Sequence, residues 1–295
     1  MNQIEVSHKA VKRAYDQGGS PLDALRDISC LALNKLAATR TIDYKHGAKI
    51  YSSFSNGTTI SRPILTSLFV RDNAEFQRLW GRFVSSIYGE RHVSSMAANN
   101  IDRVLYTAIM AFAACYDIWK PKSRKTPGTH FEVLLGSVLS QFLPNLIRTK
   151  FITLPGQDEK VSTDIVFGSE TGGLVIPAKI TTRERIVQPY AHQRILDSVF
   201  PDGRYKSVLM CVSETQRNDD DNHVNDICVP GTVRLFQAHL ASLAGIYYLD
   251  PPARYLQPDV AAVVRVASYS TLLREDLPGL VAFTTQRPPA GRRRP

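Results

Sequence analysis

The chain has 295 residues and is 43% hydrophobic, enough to bury a real core, which excludes an intrinsically disordered protein. Its 36 Lys and Arg outnumber its 27 Asp and Glu, a net charge of +9, so a polyanion is the expected partner, with nucleic acid ahead of an anionic membrane. The four cysteines, Cys30, Cys115, Cys211 and Cys228, form no CxxC and no Cys/His set with zinc-site spacing, which speaks against structural zinc and for a reducing, cytoplasmic setting.

The opening "MNQIEVSHKAVKRAYDQ" has polar residues where a signal peptide needs an apolar core, so no leader is expected. "SPLDALRDISCLALNKLAATR" reads as a helix, with a Ser-Pro start and Leu22, Leu25, Ile28, Leu31, Ala32 and Leu36 at helical spacing. "YSSFSNGTTISRPIL" reads as a turn-rich connection. "NAEFQRLWGRFVSSIYG" reads as a second helix, with Asn73 as N-cap and Gly89 at the exit. Residues 104–119, "VLYTAIMAFAACYDIW", are the most apolar run. They are too short for a membrane span and contain Asp117, so a core or subunit-interface helix is expected and no membrane partner. Residues 1–119 are thus a mainly helical region, for dimerisation or DNA contact.

Residues 120–129 break the pattern. Pro121, Pro127 and Gly128 argue against helix, and Lys120, Lys122, Arg124 and Lys125 make a basic linker, read as a solvated loop or as a set of DNA-phosphate contacts. Beyond it, "HFEVLLGSVLSQFLPNLI" is helical. "KFITLP", "STDIVF", "GLVIPAKI", "KSVLMCVSE" and "DVAAVVRVA" read as strands, and "RERIVQPYAHQRILDSVF" and "GTVRLFQAHLASLA" as helices. The expected class is α/β, a mixed central sheet flanked by helices over residues 130–284. Residues 285–295, "TQRPPAGRRRP", read as a disordered basic tail.

The chemistry-bearing stretch is "STDIVFGSETGGLVIPAKITTRERIVQPYAHQ". Asp164 and Val166 share one strand face; Val175, Pro177 and Lys179 share one face of the next. A turn at "GSETGG" brings Asp164 and Lys179 to one sheet edge. A plain ion pair would explain them. So would phosphodiester chemistry, with the carboxylate holding Mg²⁺ and the lysine placing water or stabilising charge. Glu132 sits near the start of a helix among Phe131, Val133 and Leu134. It is either a first-turn acid favoured by the helix dipole or a second metal ligand. Arg183, Glu184 and Arg185 follow at once. Thr181 and Glu184 fit a capping box. The arginine forks also match guanine O6 and N7, and a carboxylate can accept from cytosine N4.

Together these residues resemble the type II restriction endonucleases of the PD-(D/E)xK superfamily, in particular the branch that reads CCGG or interrupted CC/GG sites. The resemblance covers about residues 128–196. It implies a restriction-endonuclease-like fold, double-stranded DNA as partner, Mg²⁺ as cofactor, and a homodimer, with a tetramer also open. It gives Asp164 and Glu132 as metal ligands, Lys179 as a catalytic residue, and Arg183, Glu184 and Arg185 as base readers. Two departures stand out. Thr163 replaces the proline before the aspartate, and Pro177 occupies the acidic position two before the lysine. In this branch the carboxylate often moves onto the next helix, where this chain has His192 and Gln193. One of these two is therefore expected at the metal site as a neutral ligand. A catalytically weakened DNA-binding protein of the same fold, or a basic nucleic-acid-binding protein without nuclease activity, are the alternatives.

Overall fold

The structure is a computed structural model and describes residues 1–88, 96–156, 158–169, 171–218 and 223–282, the side chain of residue 184 excepted. The proposed basic tail at 285–295 and the helix exit at Gly89 lie outside the described residues.

Helix α1 (Asn2–Asp16) buries Ile4, His8, Val11 and Tyr15 along one stripe, and α2 (Leu22–Leu36) buries Leu22, Leu25, Ile28, Ala32 and Leu36. These are the i, i+3, i+4 spacings of amphipathic helices. The next segment is not the turn-rich connection its serines suggest. Strands β1 (Arg40–His46), β2 (Lys49–Ser55) and β3 (Ile64–Leu65) form an antiparallel three-stranded sheet. From Tyr51 to Ser55 every residue of β2 is buried, so no polar/apolar alternation marks the strand. Helix α3 (Asn73–Tyr88) is capped by Asp72 rather than Asn73: the Asp72 carboxylate accepts the Glu75 N–H at 2.6 Å.

Helix α4 (Ala98–Trp119) is buried on nearly all sides by this chain alone, which makes it a core helix rather than a subunit-interface one. Asp117 near its end pairs with Arg62 at 2.7 Å. Among the described residues no helix is long and apolar enough to cross a membrane. Helix α5 (Thr126–Phe142) begins inside the stretch read as a linker. Pro127 sits in its first turn, where a missing N–H costs nothing. One apolar cluster runs from Ile28 through Phe112 and Phe131 to Phe167 and Met210, so the helical region and the sheet share a core.

The main sheet is built from β4 (Ile147–Thr153), β5 (Lys160–Ser169), β6 (Gly172–Ile176), β7 (Ala178–Lys179) and, after helix α6 (Val187–Val199), β8 (Tyr205–Cys211). Strands β9 (Thr215–Arg217) and β10 (Val224–Asp226) make a separate ribbon. Helix α7 (Pro230–His239), β11 (Gly245–Tyr248) and β12 (Val266–Ser268) complete the pattern, followed by short helical turns. The order is β12-β11-β8-β6-β5-β4, with β7 beside β8. β4, β5 and β6 run antiparallel; β6, β8, β11 and β12 run parallel. This is the expected mixed α/β sheet. Ile165, Phe167, Leu174 and Ile176 face the central core, while Val166 and Val175 pack with Leu196 and Phe200 beneath α6. "DVAAVVRVA" is a strand only at its end, since Pro258–Ala261 is a helical turn started by Pro258.

Candidate active site

Pro177 shapes the site. It separates β6 from β7, and the β5–β6 ladder stops at the pair Ile165–Ile176. The next free donor, the Ala178 N–H, goes to the Asp164 carboxylate at 2.7 Å instead of to a backbone carbonyl. Lys179 Nζ donates to the same oxygen, also at 2.7 Å. The pair is partly covered, with side chains 22% (Asp164) and 14% (Lys179) exposed. The two residues read from the sequence as sharing a sheet edge do meet there.

Glu132 comes to this point from α5. Burial, and then the facing negative charge of Asp164, push its carboxyl up to about 6, while Lys150 and Lys179 pull the other way. Asp164, Lys179 and Glu132 line one groove of about 1480 Å³ together with Arg183 and Arg185.

His192 and Gln193 part company. The Gln193 side chain is buried and bonded at both ends: Nε2 donates to Asp197 Oδ1 at 2.7 Å and to the Tyr205 carbonyl at 3.0 Å, and Oε1 accepts the Ser207 N–H at 2.7 Å. It ties α6 to the start of β8, so its amide is already committed to holding the fold. His192, one residue earlier, lies within electrostatic reach of Lys179 and Asp164. Burial and the Lys179 ammonium hold its imidazole below the ordinary value, Asp164 opposes them, and its buried Nδ1 has no protein partner. Among the described residues, no cluster of three or more His, Cys, Asp or Glu side chains is arranged for metal binding.

The triplet Arg183-Glu184-Arg185 opens a short 3-10 turn (Arg183–Ile186) ahead of α6. Its N-cap is Thr182 rather than Thr181, and the Thr182 N–H donates to Glu214, from a distant part of the chain. Arg183 and Arg185 are exposed, the first donating to Gln216 Oε1 and the second to the Thr181 carbonyl at 2.9 Å. Of the basic run, Lys120, Arg124 and Lys125 line the groove, while Lys122 is exposed outside it. Lys120 also pairs with Glu5 at 2.8 Å.

Sequence reasoning missed two parts. The loop carrying Thr59, Ser61 and Arg62 forms another wall of the groove, held by the Arg62–Asp117 pair. Glu214 and Gln216 lie beneath and beside the triplet. Glu214 carried one signal, a carboxylate closing the apolar run "KSVLMCVSE", much as Asp164 precedes one.

No protein-family model and no curated protein matches the chain. Among solved structures, the crystal structure of the type IIP restriction endonuclease Kpn2I is similar over 96% of this chain and 99% of that one, with a TM-score of 0.86 and 35% identity. The complex of the restriction endonuclease PspGI with substrate DNA is similar over 73% of this chain and 93% of that one. Its TM-score of 0.40 and identity of 10% are too low to bear on chemistry. With a relative of that identity along nearly its whole length, this chain belongs to the type II restriction endonucleases and is a site-specific deoxyribonuclease.

Proposed function

We infer that the chain hydrolyses double-stranded DNA in a Mg²⁺-dependent reaction at a short GC-containing palindrome, such as CCGG or a CC-N-GG type. The observation that carries this is the meeting of Asp164, Lys179 and Glu132 in the groove that Arg183 and Arg185 also line. The donor set suits a hard cation. Asp164 and Glu132 come from different elements; burial, and then the charge of Asp164, raise the pKa of Glu132, and a cation between the two carboxylates would relieve that cost. Bound there, Mg²⁺ supplies a water of lowered pKa and charge neutralisation at the phosphate.

The residues divide the remaining work. Asp164 and Glu132 hold the metal. Lys179, already oriented by Asp164, sets positive charge where the phosphate oxygen gains negative charge. His192, whose pKa is lowered by burial and then by Lys179, keeps a ring nitrogen without a protein partner that would suit a bound water. Arg183 and Arg185, with Glu184, read G and C edges. Lys120, Lys122, Arg124 and Lys125 hold phosphates. A palindrome calls for two-fold symmetry, hence a homodimer. Four free thiols suit the cytoplasm.

Incubating the protein with a plasmid of known sequence, with and without Mg²⁺, and sequencing the ends tests the reading. Cuts are expected only with Mg²⁺ and at one GC-containing palindrome. Cleavage without any divalent cation, or at sites lacking G and C, overturns it.

A further inference from the structure

One buried carboxylate takes no part in the chemistry above. Glu214 follows β8 and is 0% exposed. Both its oxygens lie 3.0 Å from the Thr182 backbone N, and Oε1 also accepts the Thr182 hydroxyl at 2.5 Å and the Tyr248 hydroxyl at 3.0 Å. The Arg183 backbone N–H bears on it as well. A carboxylate in so dry a place is costly unless its lone pairs are filled. Here they are filled chiefly by the segment joining Lys179 to Arg183. The same strand end grips that segment twice more: Val212 N–H donates to the Lys179 carbonyl and Ser213 N–H to the Ile180 carbonyl, each at 3.1 Å.

The gripped segment ends in strain. Arg183 has φ 47°, the only positive φ at a non-glycine among the described residues. A side chain makes that conformation unfavourable, so it persists only where neighbours impose it. The guanidinium of Arg183 then donates to Gln216 Oε1, on β9, two residues beyond Glu214. Backbone and side chain of one arginine are thus held from a single short stretch of chain.

We propose that Glu214 and Gln216 are positioning residues for sequence discrimination: Glu214 clamps Thr182 so that Arg183 stays in its left-handed turn, and Gln216 aims the guanidinium into the groove. This rests on the reading that Arg183 contacts a base. Because the clamped segment begins at Lys179, an arginine that fails to seat on its base pulls on the strand that carries the catalytic ammonium. Recognition is therefore felt in kcat as well as in KM.

The test compares kcat and KM on the preferred site and on a site changed at one G·C pair. The variants are Thr182→Ser, Thr182→Val, Gln216→Ala and Arg183→Ala, with thermal melting to report folding. Thr182→Ser keeps the hydroxyl and is expected to keep the wild-type discrimination ratio. Thr182→Val is expected to lower that ratio about tenfold or more, chiefly through kcat on the preferred site. Gln216 is exposed, so Gln216→Ala folds normally and is expected to lower the ratio in the same direction. Unchanged ratios in both Thr182→Val and Gln216→Ala, or equal losses on both sites, overturn the proposal. If Thr182→Val does not fold, Gln216→Ala alone decides. Arg183→Ala separates the two layers: an unchanged ratio there defeats base contact by Arg183. A collapsed ratio there, with wild-type ratios in the clamp variants, defeats the clamp alone.

Discussion

The two ends of the groove hold their charges in opposite ways. At the chemical end, Asp164 and Lys179 satisfy each other side chain to side chain, mostly covered by the surrounding protein. At the reading end, the guanidiniums of Arg183 and Arg185 are left exposed, and it is the backbone beneath them that is pinned, by a fully buried Glu214. The difference follows from the ligands each end is proposed to meet. Partners at the chemical end are ions, whose charge can take over the role of the resident counter-ion. A base edge is neutral and must be met by a fork already in place, so its position has to be set from below.

The largest expected effect breaks the chemical end alone. Asp164→Ala and Lys179→Ala should each lower single-turnover cleavage by about a hundred- to a thousandfold or more, with binding to the preferred duplex largely kept. Either variant cutting at the wild-type rate would remove its residue from the chemistry.

Next in size is a change that looks like a repair. Gln193→Glu would set a carboxylate against the Tyr205 carbonyl and Asp197, two acceptors that the amide now serves as a donor. It should cost about 2–4 kcal/mol of stability in urea unfolding and leave the Mg²⁺ titration of cleavage unchanged. Tighter Mg²⁺ dependence with full stability would return Gln193 to the metal.

The support behind the chemical end can be probed by pH. In the second turn of α5, His130 stacks on Phe112, and its Nδ1 lies 3.3 Å from that of His8. Burial, then the Lys12 charge, lowers His8 from 6.5 to about 4. A depressed histidine pKa means the fold prefers the neutral ring. That stability is fully present above about pH 6.5 and is lost as pH falls toward 4, on the order of 3 kcal/mol for this group. Melting curves across that window should show the loss, and His8→Phe should flatten it. An unchanged slope in the variant would assign the acid sensitivity elsewhere.

The smallest effects sharpen the reading end. Arg185→Ala should cost about 1–3 kcal/mol in binding, mainly on the preferred site. Lys122→Ala should weaken all duplexes alike and reduce the salt slope of binding by about 1. Equal weakening of preferred and random DNA by Arg185→Ala would make that arginine a phosphate contact.

Much of the fold was legible in the sequence because period and punctuation are local. Helical spacing marked α2 and α3, β-branched runs marked β5, β6 and β8, and the Asp164–Lys179 meeting followed from two faces and one turn. What escaped depended on burial from outside the segment. β2 reads as serine-rich turn because both its faces are covered, and β11 is a short run of four buried residues with no alternation to announce it. Pro127 reads as a breaker, yet tertiary packing made it a helix start.

At the site the division is similar. Residue types and spacing by themselves determined a carboxylate, a lysine and an arginine pair within one short stretch, because consecutive strand and turn residues cannot be far apart. Only the tertiary structure decided which neighbour serves which end. His192 and Gln193 are adjacent in sequence, but successive helix residues point about 100° apart, so Gln193 bonds to the start of β8 while His192 Nδ1 has no protein partner. Glu214 reaches Thr182 across 32 residues because β8 runs parallel beside β7 and ends at the same edge. No local pattern encodes that contact; it exists because a buried carboxylate and unsatisfied N–H groups at the start of a turn each need a partner where water is absent.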